Sequence, residues 1–207
     1  MISDGRSYAW AGEMKLVMIG APGSGKSTQA GLLCRRLHLR HIYVGDLLRR
    51  EMATDSPYAE RIRTHLSRGL LVPEDIVLAV LERELSTVPD DFVLDGFPRT
   101  LQQVLDLESI LSGRGQLLDA VIYLHVSSDE ILRRLLMRGR PDDRPSVILK
   151  RIEVFHQQAH PVLRFYEDKG ILLKVVGEGD PALINANIIA RVEEHVRRLQ
   201  AAAGYPS

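Results

Sequence analysis

Gly20-Ala21-Pro22-Gly23-Ser24-Gly25-Lys26-Ser27-Thr28 follows directly on the apolar run Met14-Lys15-Leu16-Val17-Met18-Ile19. It opens a segment in which Ala30, Leu33, Cys34 and Leu37 fall at helical spacing. In that context of strand, glycine-rich turn and helix, the pattern G-x-x-x-x-G-K-[ST] is a phosphate-binding loop. Its glycines permit backbone dihedrals and close approaches that a Cβ forbids, so successive N–H groups can face an anion. Lys26 adds a positive charge for a β/γ-phosphate. The helix beginning near it adds unpaired N–H groups and the positive end of its dipole. Ser27 or Thr28 offers a hydroxyl toward a phosphate-bound Mg²⁺. Gly23, Ser24, Gly25, Lys26, Ser27 and Thr28 are thus the candidate nucleotide-binding set.

Outward from this loop, strands alternate with helices. His41-Ile42-Tyr43-Val44 reads as a second strand closed by Gly45-Asp46, and 46–86 as helices broken at Ser56-Pro57, Arg68-Gly69 and Pro73, with Pro73-Glu74 a helix start. Such small helices between two strands suggest an inserted lobe. Asp91-Phe92-Val93-Leu94-Asp95 is a third strand ending in a carboxylate placed for a nucleotide's metal ion. Thr100 or a neighbour caps a helix through Leu111; Ala120–Leu124 is strand four, ending near His125, which reads as a packed strand-end residue. Ser127 or Ser128 caps a helix over 129–138. A charged loop over 139–145 leads to a long helix over 146–168, a fifth strand over 171–176 and an amphipathic helix over 181–201. The expectation is an α/β fold with a parallel sheet covered on both faces.

The 207 residues fit one domain with small lobes, and residues 1–13, Trp10 among them, read as a loose extension before a domain over 14–207. Lys+Arg and Asp+Glu both count 27, so no net field draws in nucleic acid or a membrane surface. A single cysteine, Cys34, excludes an internal disulfide and fits a reducing compartment. With no apolar run of membrane-spanning length and no signal-peptide pattern at the start, a soluble cytoplasmic protein is expected. Lysine occurs only at 15, 26, 150, 169 and 174. A lone arginine therefore carries little information, and only arginines within motifs count.

Those motifs are Gly45-Asp46-Leu47-Leu48-Arg49, Leu71-Val72-Pro73, Asp95-Gly96-Phe97-Pro98-Arg99-Thr100-Leu101-Gln102-Gln103 and Arg138-Gly139-Arg140-Pro141-Asp142-Asp143. With them the chain, from Met14 to the last helix, resembles the nucleoside monophosphate kinases, and among these the adenylate kinases with a short lid. The resemblance implies a P-loop NTPase three-layer α/β sandwich with a five-stranded parallel sheet. It also implies an inserted AMP-binding lobe near 43–72, a lid near 139–144 and a monomer. The implied reaction is transfer of the γ-phosphoryl group of Mg·ATP to AMP, giving two ADP. The acceptor phosphate is already an anionic nucleophile, so alignment and charge neutralisation would carry the catalysis. Arginine suits that work, because its planar fork holds phosphate bidentately and keeps its proton.

By the same resemblance Arg49 and Arg99 hold the AMP phosphate, and Val44, Leu70, Leu71, Val72, Gly96, Phe97 and Pro98 line the AMP site. Gln103 reads the adenine edge. Arg134 and Arg138, four apart on one helix face, reach toward the ATP phosphates, and Gly177 lies near the ATP adenine. Arg140 and Arg151 clamp the transferring phosphate, with Asp142 and Asp143 pairing across the closed lid. Mg²⁺ is carried by the nucleotide phosphates, with Ser27 and Asp95 reaching it through water.

The chain departs from the family pattern at Ser27, where glycine is usual, and at Val44, where a threonine commonly contacts the AMP adenine. Losing that hydroxyl removes at most one hydrogen bond, on the order of 0.5–1.5 kcal/mol. The stretch from Arg138 to Arg151 is too short for a large lid and has no cysteines, so a zinc-bearing lid is not expected. Two rival readings remain open: another monophosphate kinase, UMP/CMP or GTP:AMP, and a module that binds ATP and AMP without turnover. Against the second stands the full set of Lys26 and arginines, since a sensor has no use for transition-state groups.

Overall fold

In the computed structural model, which describes residues 14–88, 90–139 and 144–202, short apolar runs become the strands β1 (Lys15–Ile19), β2 (Arg40–Tyr43), β3 (Phe92–Asp95), β4 (Ala120–His125) and β5 (Leu172–Val176). Their order is β2-β3-β1-β4-β5 and every pairing is parallel. The helices between them are α1 (Lys26–Leu37), α2 (Val44–Met52), α3 (Ala59–Ser67), α4 (Glu74–Leu85), α5 (Leu101–Gly113), α6 (Ser128–Arg138), α7 (Pro145–Asp168) and α8 (Pro181–Ala202).

Both faces of the sheet are covered, which is why its central strands are apolar throughout. Successive side chains of β1 point to opposite sides: Val17 and Ile19 join a core with residues of α2, α4, α5 and α7, while Leu16 and Met18 join one with α1 and α8. β3 divides the same way, Phe92 and Leu94 on the first side and Val93 on the second. Leu16, Val17 and Met18 are completely buried, each contributing about 1.5–3 kcal/mol relative to exposure. A third, smaller core of Ile131, Leu135, Ile148 and Ile152 holds α6 against α7.

Local chemistry fixes the helix starts near the cleft. Thr100 Oγ1 accepts the Gln103 backbone N–H (3.2 Å) and donates to Glu74 Oε1 (2.7 Å), capping α5 and tying it to the first turn of α4. Such a cap contributes about 1 kcal/mol. α4 starts behind Pro73, with Glu74 and Asp75 in its first turn, where acidic groups complement the helix dipole.

Three sequence expectations are corrected. Val44 does not end the second strand: β2 pairs one residue earlier, Arg40 opposite Phe92, and Val44 becomes the first residue of α2. His125 is exposed rather than packed, its Nδ1 3.3 Å from the Tyr123 hydroxyl, because it and its partner residue Val176 lie on the open face of the sheet's end, while Leu124 and Val126 are buried on the other. Ser127 takes the N-cap position of α6 but makes no side-chain cap bond; its backbone N–H donates to Glu178 Oε1 at 2.8 Å. Trp10, Arg140, Asp142 and Asp143 lie outside the described residues.

Cys34 is buried in α1, and burial pushes its thiol up to about 12. In the folded protein it should react with a thiol reagent at pH 8 more than about a hundredfold slower than free cysteine, since the thiolate is the nucleophile. The raised value also gives a stability effect with a definite sign. The contribution of Cys34 is fully present below 9.0, the ordinary value, and is lost as pH rises toward about 12. Cys34→Ala should therefore flatten the alkaline limb of a stability-versus-pH curve measured by thermal unfolding.

Candidate active site

In the sheet, β1 lies between β3 and β4, and its following helix α1 crosses to one face while α2, α4, α5 and α7 cover the other. The crevice outside the carboxyl ends of the strands at such a switch point is where open α/β sheets bind ligands. Here it is a cleft of about 440 Å³.

The phosphate-binding loop forms one end. Gly23 has φ +84°, and a Cβ there would stand 2.6 Å from Leu135 Cγ, so the loop must be bare where α6 crosses it. Lys26 extends into the cleft, its Nζ 3.4 Å from the Ala21 carbonyl oxygen. Enclosure by protein lowers its pKa, opposed by the pull of Asp95 and assisted by repulsion from Arg99 and Arg138. An ammonium held in surroundings so hostile to charge is ready for an anionic ligand.

Asp95, at the end of β3, is completely buried. Burial works to raise its pKa, but His41, Lys26 and Ser27 together outweigh this and hold the carboxyl below its ordinary value. His41 Nε2 stands 3.3 Å from Oδ2, while Oδ1 has no hydrogen-bond partner among the described residues. A buried ionised carboxylate with an orphaned oxygen, next to a hydroxyl of the phosphate loop, fits a Mg²⁺ ion held mainly by its nucleotide. No cluster of His, Cys, Asp and Glu ligands forms among the described residues, so a metal cage built by the protein alone is not what they present.

The other end of the cleft is built by α2, the 69–72 turn and the segment after β3. Val44, Arg49, Leu70, Leu71, Val72, Gly96, Phe97, Pro98, Arg99 and Gln103 all border the cleft, as do Gly25, Ser27, Thr28, Arg134, Arg138 and Arg151. Arg99 is held by two bonds: its Nε donates to the Gly96 carbonyl (2.7 Å), and its backbone N–H donates to Gln103 Oε1 (2.8 Å). The outer fork of the guanidinium is thus aimed by the backbone, and the amide oxygen of Gln103 is already engaged. Enclosure disfavours the charge on Arg99, and repulsion from Arg151 and Arg49 adds to this against Tyr43 and Asp95.

Two expected site residues stand back from the cleft wall. Ser24 is buried with its Oγ unpartnered among the described residues, and Gly177 is buried behind the wall, its N–H donating to the His125 carbonyl at 2.7 Å. Arg134 connects them. Its guanidinium donates to Glu130 Oε1 (2.7 Å), the Ser24 carbonyl (3.0 Å) and the Gly177 carbonyl (3.0 Å). The phosphate loop, α6 and the 177 turn are thereby joined through one side chain. Arg133 pairs with Glu130 on the outer surface.

Comparison with known proteins fits this layout. The family model described as Adenylate kinase matches residues 18–171. The chain belongs to the adenylate kinase family. An adenylate kinase of Stenotrophomonas maltophilia (strain K279a) is 40% identical over 187 residues, covering 87% of this chain and 100% of its own. That of Xanthomonas campestris pv. campestris (strain B100) is 43% identical over 172 residues, 80% of this chain and 92% of its own. That of Prochlorococcus marinus (strain MIT 9211) is 40% identical over 167 residues, 80% and 90% respectively. The chain is accordingly an enzyme, a nucleotide-binding kinase on the P-loop fold of this family.

Sequence reasoning missed one wall of this adenylate kinase cleft and, among other lining residues, a phenol within it. Val154, Phe155, Gln158, Ala159 and Val162 of α7 line the cleft. The signal was available: Ile148, Ile152, Phe155, Ala159, Val162 and Tyr166 repeat every three or four residues. Spacing shows a buried face without showing that half of it borders a ligand site. The missed phenol is Tyr43, at the end of β2.

Proposed function

We propose that the chain transfers the γ-phosphoryl group of Mg·ATP to AMP, giving two ADP. The observation that carries this reading is a single cleft with the phosphate loop and Lys26 at one end and Arg49, Arg99 and an apolar turn at the other. A donor triphosphate on the loop and an acceptor monophosphate on Arg49 and Arg99 would meet between them, so binding itself supplies the alignment. Lys26, Arg138 and Arg151 neutralise charge spread over the transferring group, and Arg140 of the 139–144 lid joins them on closure. Arg134 holds the loop and the 177 turn in register for the donor. Leu70, Leu71 and Val72, with Val44, give the acceptor base an apolar seat, and Gln103 faces its edge.

Mg²⁺ would be held by the nucleotide phosphates, with Ser27 and Asp95 reaching it through water, and it supplies positive charge to the β- and γ-phosphoryl oxygens. The 43–72 lobe and the short lid shut over the substrates to keep water from the γ-phosphate. α6 ends at the positive-φ residue Gly139, the first residue of the proposed 139–144 lid. The protein works as a cytoplasmic monomer. No helix among the described residues is long and apolar enough to cross a membrane.

ADP production from ATP with AMP, CMP, UMP or GMP, with and without Mg²⁺, tests the reading. AMP should exceed every other acceptor at least about tenfold in kcat/KM, the discrimination expected of a pocket that pairs a base edge. Removal of Mg²⁺ should abolish turnover. Equal use of CMP or UMP would move the chain to the pyrimidine kinases, and tight ATP and AMP binding without ADP would make it a sensor.

A further inference from the structure

Tyr43 takes the N-cap position of α2 but makes no cap hydrogen bond. Its ring lies in the cleft over two glycines. A Cβ at Gly45 would come within 2.9 Å of the ring and its hydroxyl oxygen, and one at Gly96 would stand 3.7 Å from Cε2. Bare backbone at Gly45 is what admits the ring, and at Gly96 the ring lies in ordinary van der Waals contact. Arg49 Cζ stands 5.2 Å from the ring centroid, and His41 stacks on the outer side at 6.2 Å with 17° between planes. Tyr43 and Arg49 border both the main cleft and a more open basin that Arg40, Arg50 and Glu84 also line, so the pair forms the partition between the two.

The phenol is surrounded by cations. Burial acts to raise its pKa, but Arg49 and then Lys26 outweigh burial and lower it, which makes the O–H a stronger donor. Arg99, whose charge Tyr43 helps to support, completes the ring of positive groups. A phosphate monoester presents acceptors only. A fourth cation here would repel Lys26, Arg49 and Arg99 when the site is empty, whereas a neutral hydroxyl adds a donor without that repulsion.

We propose that Tyr43 binds the phosphoryl acceptor directly, its hydroxyl donating to the acceptor phosphate between Arg49 and Arg99 while its ring packs against the Arg49 guanidinium, whose Nε and Nη2 donate to Asp46 Oδ1. This rests on the reading of Arg49 and Arg99 as the acceptor end. It makes position 43 a determinant of acceptor affinity that the family motifs do not contain.

The test is steady-state kinetics on the full chain and Tyr43→Phe, with AMP and ATP varied in turn and thermal unfolding measured alongside. Phenylalanine keeps the ring, its seat on the glycines and its contact with Arg49. KM for AMP should rise about tenfold, the effect of losing one hydrogen bond to a charged group. KM for ATP should stay within about twofold and kcat should fall less than about threefold, the pattern of a lost ground-state contact to one substrate. A KM for AMP within about twofold of the native chain's overturns the proposal. So does an equal rise in both KM values, which marks a loosened cleft. If the native chain itself makes no ADP from AMP, the underlying reading of the acceptor end fails, and the inference with it.

Discussion

Lys26→Met is expected to lower kcat by about a thousandfold, the scale seen when a preorganised charge aimed at a transition state is removed. Methionine keeps the length and unbranched shape of the side chain, so the phosphate loop retains its glycines and the turn closed by Ser24 N–H on the Ala21 carbonyl. What disappears is the one charge that reaches into the cleft from the loop itself. Stability should change little, because two effects oppose each other. The ammonium is enclosed, and removing it relieves a desolvation cost. Asp95 in turn loses one of the groups holding its carboxyl ionised, after His41 and before Ser27. Asp95 has a depressed pKa, so its contribution is present above the ordinary carboxylate value and is lost as pH falls through the depressed one. With Lys26 gone the folded-state value moves back toward the ordinary one, so that loss should be smaller and complete at a higher pH. The measurement is kcat by coupled ADP assay beside thermal unfolding from pH 3 to 7. A kcat within tenfold of the native chain's would show that the loop amides suffice without the lysine.

The parts of this molecule legible in its sequence are those whose chemistry is local. The glycine pattern before Lys26, the Pro73-Glu74 helix start and the Thr100 cap each concern neighbours a few residues apart, and each forms as the residues dictate. The strands were legible because a sheet covered on both faces requires apolar runs, whereas their order, β2-β3-β1-β4-β5, was not read from the residues. What escaped depends on distant segments. Tyr43 reads as an ordinary β-former ending a strand. Its place among Lys26, Gly96 and Arg99 comes from β2 lying beside β3 and β3 beside β1, which the local residues do not state. His125 belongs to an apolar strand and so reads as buried, but one face is open at the end of β4: His125 and its neighbour Val176 are exposed while Leu124 and Val126 stay buried. The fork of Arg99 was expected from a motif. That the Gly96 carbonyl and Gln103 aim it is visible only with the turn in three dimensions.

That aiming makes Arg99→Lys more informative than truncation. Lysine keeps the positive charge but has no Nε to donate to Gly96 and no planar fork to meet a phosphate bidentately. The kcat/KM for AMP should fall about a hundredfold, with KM for ATP within about twofold, since charge alone recovers only part of an aligned bidentate contact. The same substitution carries a pH signature. Enclosure first, then repulsion from Arg151 and Arg49, works against a cation at this position. Arginine tolerates that because its ordinary value lies far above the working range, so even when lowered it stays charged there. A lysine begins near 10.4 and is displaced in the same direction by the same causes. As pH rises the lysine gives up its proton while the native arginine does not. Residual activity of the variant toward AMP should therefore decline below the ordinary lysine range, where the native chain holds level, and KM should carry most of the decline. Parallel pH profiles for the two proteins would mean that position 99 is open enough to water to keep any cation charged. The choice of arginine there would then rest on its fork alone.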